Sequence, residues 1–348
     1  MTGETHSGAG GDVAGGWAVV ATVREPPALT LAFAAHHLAL GAEELWLFFD
    51  DAADPSADLA DRLPRTRVIR CDAEYWAMRR LARPALQSDR QLANATYAYN
   101  RSDAAWMLHV DADEFLWCRR PLAEELARLA PDDGWLKLNN LERVWLTPPD
   151  RAATIFEGAF RRRIERGWVN RAIYGRRRRF LRYGFAGHTA GKALSRTGRQ
   201  YQLYVHTPWA GRGEGKHVPP HVAAEGVFLL HFDGLTPRHW AAKTLRYAAH
   251  DEGALDALLH PKRQRQVRHV RDACPRIADV LAFNAQLKEL GPLRALAVRV
   301  AGGLTEARID PGRALDTLLP GHGLDLSPAG FDAALAPHYA THLAQVSR

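Results

Sequence analysis

The apolar positions of this chain fall into short unbroken runs, each closed by a polar or proline-rich break. Trp17-Ala-Val-Val-Ala-Thr-Val23 has no polar alternation, which predicts a strand covered on both faces. Arg24-Glu25-Pro26-Pro27 ends it, and the two prolines suit the entrance of a helix. Leu29 to Leu40 has helical length and composition, with Gly41 as its stop. Glu44 to Phe49 is the next strand and ends on Asp50-Asp51. Asp54-Pro55 reads as an N-cap with proline at the first helical position of a short helix to Leu63. Thr66 to Cys71 is a third strand, Pro84 to about Asn100 a second long helix, and Ala105 to Val110 a fourth strand. Strand, helix and strand within 33 residues is the length of a right-handed βαβ unit. Four such strands before residue 115 predict a doubly wound α/β domain with a mainly parallel sheet.

After residue 120 the pattern loosens. Trp135 to Asn139, Glu142 to Trp145, Tyr201 to His206 and Val227 to Phe232 read as strands, and Pro237 to His250 as a helix. Gly187 to Gly191 and Gly211 to Pro220 read as loops, and from about Gly253 the chain reads as helical with proline and glycine interruptions. The first 16 residues, rich in Gly, Ser and Thr, are expected to be a disordered tail without the basic and apolar regions of a secretory signal. No window of about 18 uninterrupted apolar residues is present, so no membrane span is expected.

The carboxyl ends of the strands carry the candidate chemistry. In doubly wound sheets ligands bind there, and Arg24, Glu25, Asp50, Asp51, Asp111 and Asp113 all fall at those ends. The sharpest signal is Trp106-Met-Leu-His-Val-Asp-Ala-Asp-Glu-Phe-Leu116. Carboxylates crowded at the end of a buried strand repel one another and lose solvation, so a cation is the natural companion. Two oxygen donors two residues apart suit a hard divalent ion. The plainer reading is a solvated turn, and for Asp51 helix capping. His231, in Leu229-Leu-His-Phe-Asp-Gly-Leu-Thr-Pro237, is either structural or a nitrogen donor that manganese accepts beside carboxylates. Lys192 offers a point charge to a phosphate, or is a solvated lysine in a glycine-rich loop.

Three look-alikes fail on inspection. Gly187-His-Thr-Ala-Gly191 has no strong strand before it and no apolar helix after it, as a nucleophile elbow would need. Ala186 and Ala193 break the P-loop pattern around Lys192. Pro219-Pro220 prevents the helix that would align His217 and His221 on zinc.

Charge changes the picture in one segment. The 348-residue chain carries a formal +7, yet residues 161 to 182 hold ten arginines against one glutamate, which leaves the remainder slightly negative, at −2. These arginines are interleaved with Trp168, Tyr174 and Phe180, a pattern open to nucleic acid, to an anionic substrate or lipid surface, or to a solvated loop or hairpin face. The three cysteines, Cys71, Cys118 and Cys274, lie far apart, which argues against a disulfide scaffold or zinc ribbon and fits a reducing compartment.

Together the opening Val-Val-Ala-Thr-Val-Arg-Glu, the Ala35-His-His-Leu-Ala-Leu-Gly41 helix leading to Asp50-Asp51, the Asp111-Ala-Asp113-Glu-Phe block and His231-Phe-Asp-Gly-Leu-Thr with Lys243 resemble bacterial glycosyltransferase family 2-type proteins of the GT-A fold, with features of family 92. The resemblance runs over about residues 17 to 250 and is more specific in its first half. It implies a GT-A-type catalytic domain over 17–250, with a nucleotide-binding half at 17–120 and an acceptor half at 121–250, followed by a mostly helical extension at 251–348. It implies a nucleotide-sugar donor, a divalent metal (manganese or magnesium) and inversion of the anomeric centre. Arg24, Glu25, Asp50, Asp51, Gln91 and Lys192 would face the donor, Asp111 both donor and metal, and Asp113 and His231 the metal. Glu142 and Asp233 are the candidates for the catalytic base. The acceptor would be a glycan or a lipid-linked sugar, the compartment the cytoplasm, with peripheral contact at the inner membrane as a further expectation and nucleic acid disfavoured. The alternatives are a metal-dependent nucleotidyltransferase, which shares a strand-end Asp pair, and a non-catalytic polyanion-binding protein that uses the arginine segment.

Overall fold

The structure, a computed structural model, describes residues 15–211 and 213–344; residues 1–14 of the expected tail lie outside the described residues. The chain begins with β1 (Trp17–Val23), α1 (Pro27–Ala39), β2 (Glu44–Phe49), α2 (Ser56–Ala60), β3 (Thr66–Arg70), α3 (Ala73–Met78), α4 (Gln87–Tyr99), β4 (Trp106–His109), β5 (Glu114–Cys118) and α5 (Leu122–Leu126). Then follow β6 (Trp135–Val144), β7 (Ala159–Arg161), α6 (Gly167–Tyr174), β8 (Lys192–Arg196), β9 (Tyr201–Leu203), β10 (Pro208–Ala210) and β11 (His221–His231). The remainder is largely helical: α7 (Pro237–Ala248), α8 (Glu252–Leu258), α9 (Pro261–Ala273), α10 (Ile277–Lys288), α11 (Pro292–Val300), the short β12 (Leu304–Thr305), α12 (Pro311–Leu318) and α13 (Pro328–Ala344).

These elements form two compact units. The first comprises Met1–Asn139, Ala190–Leu229 and Ile309–Leu324; the second Asn140–Thr189, Leu230–Arg308 and Asp325–Arg348.

The first unit is mixed α/β around a mainly parallel sheet. β4, β1, β2 and β3 lie side by side in that order, all parallel, and β8 adds antiparallel to β4. Every residue of β1 is buried, as an apolar strand with helices over both faces should be. α1 is apolar nearly all round, with Ala28 to Leu38 buried, and packs on α12. Its two histidines sit inside. His36 Nε2 lies 2.8 Å from the Leu116 carbonyl, while His37 places Nδ1 2.9 Å from the Phe33 carbonyl and accepts the Leu116 N–H at Nε2. Burial, with His36 as neighbour, pushes His37 down to about 3, and burial pushes His36 down to about 4. On the other face α4 packs on β1, where Asn94 donates to Thr22 Oγ1 and accepts from Tyr75.

The second unit pairs the later residues of β6 with β7, and β7 with β12, both antiparallel. Its core gathers Val144, Tyr174, Trp240, Phe283, Leu287 and Val298, with α7 packed on α9, α10 and α13.

Several elements differ from expectation. Trp135 to Val144 is one ten-residue strand, because Asn140 and Leu141 continue the extended ladder where the sequence suggested a break. Glu114–Cys118 is a strand that the acidic cluster concealed. The arginine segment is largely helical in place of a loop or hairpin: α6 runs into a 3₁₀ turn over Gly175–Arg179. Among the described residues no helix is long and apolar enough to cross a membrane.

Candidate functional site

In the first unit β4 ends at His109, and the chain turns through Asp111-Ala112-Asp113 before resuming as β5. The turn closes on itself. The Glu114 N–H donates to the Asp111 carbonyl at 3.0 Å, and the Asp111 N–H donates to Glu114 Oε2 at 3.0 Å. Glu114 is thereby fixed with its side chain fully buried, and Asp113 is buried as well. Asp111 alone of the three keeps substantial access to water, its side chain 32% exposed.

The cation for this cluster comes from the chain itself. Lys192 Nζ lies 2.7 Å from Asp111 Oδ2 and 3.2 Å from Glu114 Oε2, with no exposed side-chain surface. Burial alone would lower its proton affinity; the two carboxylates outweigh burial and hold the ammonium above its usual range. Strand pairing delivers it there. Lys192 opens β8 opposite Leu138 of β6. The preceding Gly191 has φ +73°, and a Cβ at that position would stand 2.2 Å from the Leu138 carbonyl oxygen, so only glycine allows this approach. From α4, Gln91 Nε2 donates to Asp111 Oδ1 at 2.8 Å. Lys192 also lies close to buried His109, which burial first and the ammonium second push down to about 4.

The remaining first-unit candidates spread along the strand ends. Arg24 is exposed and Glu25 partly buried after β1. Asp50, after β2, is buried and saturated: Arg90 grips it with Nε at 2.6 Å and Nη2 at 2.8 Å, and Arg83 adds Nη2 at 2.9 Å. Arg83 remains 46% exposed, so the cation and not the carboxylate faces water. Asp51 is exposed and accepts the Ala53 N–H at 3.0 Å, a turn-capping contact. Asp111, Gln91 and Lys192 are therefore brought into contact, whereas Asp50 is held by Arg83 and Arg90 and Asp51 bonds within its own turn.

Glu142, Asp233 and His231 belong to the second unit. Glu142, on β6, has no exposed side-chain surface. Arg161 on β7 is its cross-strand partner and donates Nε to Oε1 at 3.0 Å, with Nη2 also on Oε1. The Ala186 N–H adds a bond at 2.9 Å, and the Gly187 N–H one to Oε2. Burial would raise this carboxyl; Lys288 and Arg161 overcome burial and keep it below the usual range. Asp233 sits in a left-handed turn after β11 (φ 49°). Lys288 Nζ lies 2.9 Å from its Oδ2, and Arg263 3.6 Å from Oδ1. Lys288 foremost, against burial, holds Asp233 far below the usual carboxylate range. A base must accept a proton from an incoming hydroxyl. Glu142 and Asp233, the expected bases, are thus both paired with cations, Arg161 and Lys288. His231 is buried, its ring 4.5 Å from that of His188. A Cβ on Gly187 would stand 2.8 Å from His231 Cε1 and 3.0 Å from Glu142 Oε2, so this loop position needs a bare backbone.

Reading the sequence assigned no site role to Arg83, Arg90 or Lys288, and marked Glu114 only as part of the acidic block and Arg161 only as part of the arginine segment. Lys288 had no signal, since nothing in the pattern of α10 marks a buried ammonium.

No protein-family model matches the chain, and no curated protein matches it. Among solved structures, the crystal structure of S. aureus TarS 1–349 is a distant likeness: 11% identity, covering 95% of this chain and 89% of that one, with a TM-score of 0.30.

Proposed function

We propose that the protein is a glycosyltransferase of GT-A type whose first unit binds a nucleotide-sugar. The observation that carries this reading is Asp111. It is a carboxylate one-third open to water at the carboxyl end of a parallel sheet, held in place by Gln91 and a fully buried lysine. A merely structural ion pair has no need of the exposed edge.

The donor set fits a hard divalent ion. Its donors are carboxylate oxygens, the ligand type such an ion prefers, and Gln91 and Lys192 hold Asp111 in place. Asp111 and Asp113 would hold the ion, manganese or magnesium, which when bound would neutralise the departing diphosphate. The chain's own residues supply the rest. Lys192, sealed beneath Asp111, positions that carboxylate and offsets the local negative charge; it does not reach a ligand itself. The exposed guanidinium groups of Arg83 and Arg24 offer donors to phosphate oxygens at neighbouring strand ends. Inversion at the anomeric carbon requires an acceptor-side carboxylate, and we assign that role to neither Glu142 nor Asp233 because their cations already hold them.

A thermal-shift screen of nucleoside diphosphates and nucleotide-sugars, with and without manganese, tests the reading. A ligand at a hundred times its Kd should add about 2.7 kcal/mol to stability. The expected result is a shift with a diphosphate only when manganese is present, absent in Asp111→Asn. Indifference to every nucleotide would sink the proposal. Release of pyrophosphate from a nucleoside triphosphate and a sugar phosphate would replace it with nucleotidyl transfer.

A further inference from the structure

The second unit presents a face that its own ion pairs and core leave unexplained. On α11, Leu293, Leu296 and Val300 are 86%, 59% and 79% exposed. At 100° per residue these positions fall within about 60° of one another, while Val298 and Ala295 lie on the opposite side and pack into the core. Arg294 and Arg299 flank the exposed stripe on either side. The helix is thus amphipathic twice over, with one apolar side turned inward and a second turned to water. Isolated exposed apolar side chains are ordinary; three on one face of a nine-residue helix are not.

The neighbouring element is basic. α11 packs on α6, which carries Trp168 at 73% exposure and runs into the arginine turn. Among the described residues, Arg166, Arg171, Arg176, Arg178, Arg179 and Arg182 are exposed and have no carboxylate within ion-pair reach. Other cations crowd against them: Lys262, at the start of α9, donates to the Arg178 carbonyl at 2.9 Å, and Arg265 approaches the Arg179 carbonyl at 3.5 Å. Arg177 stands near enough to Arg294 to add to the effect of burial in lowering its proton affinity. So many like charges without counter-ions are destabilising to the isolated fold and call for an anionic partner.

We propose that this face docks on an anionic lipid bilayer, with Leu293, Leu296 and Val300 entering the interfacial region and the arginines of the 175–182 turn meeting the headgroups. The joint presence of the two features selects the partner. Nucleic acid would satisfy the arginines and gain nothing from the aliphatic stripe. A second copy of the chain would cover the stripe and set like charges against each other. A bilayer surface takes both, as interfacial amphipathic helices do, and tryptophan favours the same depth. The inference stands on the second unit alone and is independent of the nucleotide reading.

Co-sedimentation of the full chain with vesicles tests it, using phosphatidylcholine alone and phosphatidylcholine mixed with phosphatidylglycerol. Binding is expected to the mixed vesicles only, and to weaken as salt is raised. The triple variant Leu293→Ser, Leu296→Ser, Val300→Ser should bind at least tenfold more weakly with unchanged Tm, because the three side chains are exposed. Arg176→Ala and Arg178→Ala should each cost roughly fivefold. Equal binding to both vesicle types, or no binding to either, would overturn the proposal. So would a triple variant that binds like the parent, competition by an oligonucleotide with no effect of the serine substitutions, or a concentration-dependent dimer abolished by them.

Discussion

Both units bury carboxylates against a lysine, but they treat water differently. In the first unit Lys192 is sealed while its partner Asp111 is one-third exposed. In the second, Glu142 is fully enclosed with Arg161, and Asp233 and Lys288 are only 7% and 4% exposed. A closed cluster is held by ion pairs sealed from water, and removing one partner strands a charge in low dielectric. An open cluster can exchange a water for a ligand without dismantling the fold. The same residue types therefore act as a structural clamp in one place and as a candidate binding edge in the other.

The largest way to break this comparison is Glu142→Gln, which leaves Arg161 and Lys288 facing a neutral amide. We expect a loss of about 3–5 kcal/mol in denaturant unfolding. A loss below 1 kcal/mol would mean that the closed cluster is not a clamp. Lys192→Met should cost somewhat less, about 3 kcal/mol, because Asp111 can regain water although buried Glu114 loses its cation. It also sharpens the contrast: manganese should restore more stability to this variant than to the parent, read as the difference in Tm with and without the ion. An identical manganese response in the two proteins would argue that the cation does not sit at Asp111.

Acid offers a third lever. His36, His37 and His109 lie at about 4, 3 and 4 when folded, below an unfolded value near 6.5. Between those values the unfolded chain binds more protons than the folded one. Their stabilisation is therefore complete above about pH 6.5 and is lost as pH falls toward 4. From pH 7 to 5 one such histidine accounts for about 2 kcal/mol, so His37→Gln should flatten the pH dependence of unfolding by about that amount. An unchanged slope would show that His37 accepts a proton in place. Asp233 acts in the same sense at lower pH: its folded value is depressed, so its contribution persists above the ordinary aspartate range and fades below it. The smallest expected effect on stability is Asp111→Asn, below about 1 kcal/mol for a partly solvated pair. A large loss would place Asp111 with the clamps and remove the reason for reading it as a binding edge.

The sequence by itself determined the parallel sheet and the acidic strand end. Runs such as Trp17–Val23 and Glu44–Phe49 have no polar alternation, so they had to be covered on both faces, and strands spaced by helices had to lie parallel. Local pattern also marked Asp111 and Lys192 individually and the arginine segment as a discontinuity of charge, while Gln91 came only from the family resemblance. It did not reveal that Lys192 lies against Asp111, 81 residues away, because that contact depends on the register of β8 on β6 and on a left-handed Gly191. Nor did it show which carboxylates were already taken. Asp50, Glu142 and Asp233 looked as available as Asp111, and only the packing of Arg90, Arg161 and Lys288 against them decided otherwise. Alternation and spacing are properties of neighbours along the chain; the partner of a charge is a property of neighbours in space, settled when the fold excludes water from one carboxylate and leaves it on another.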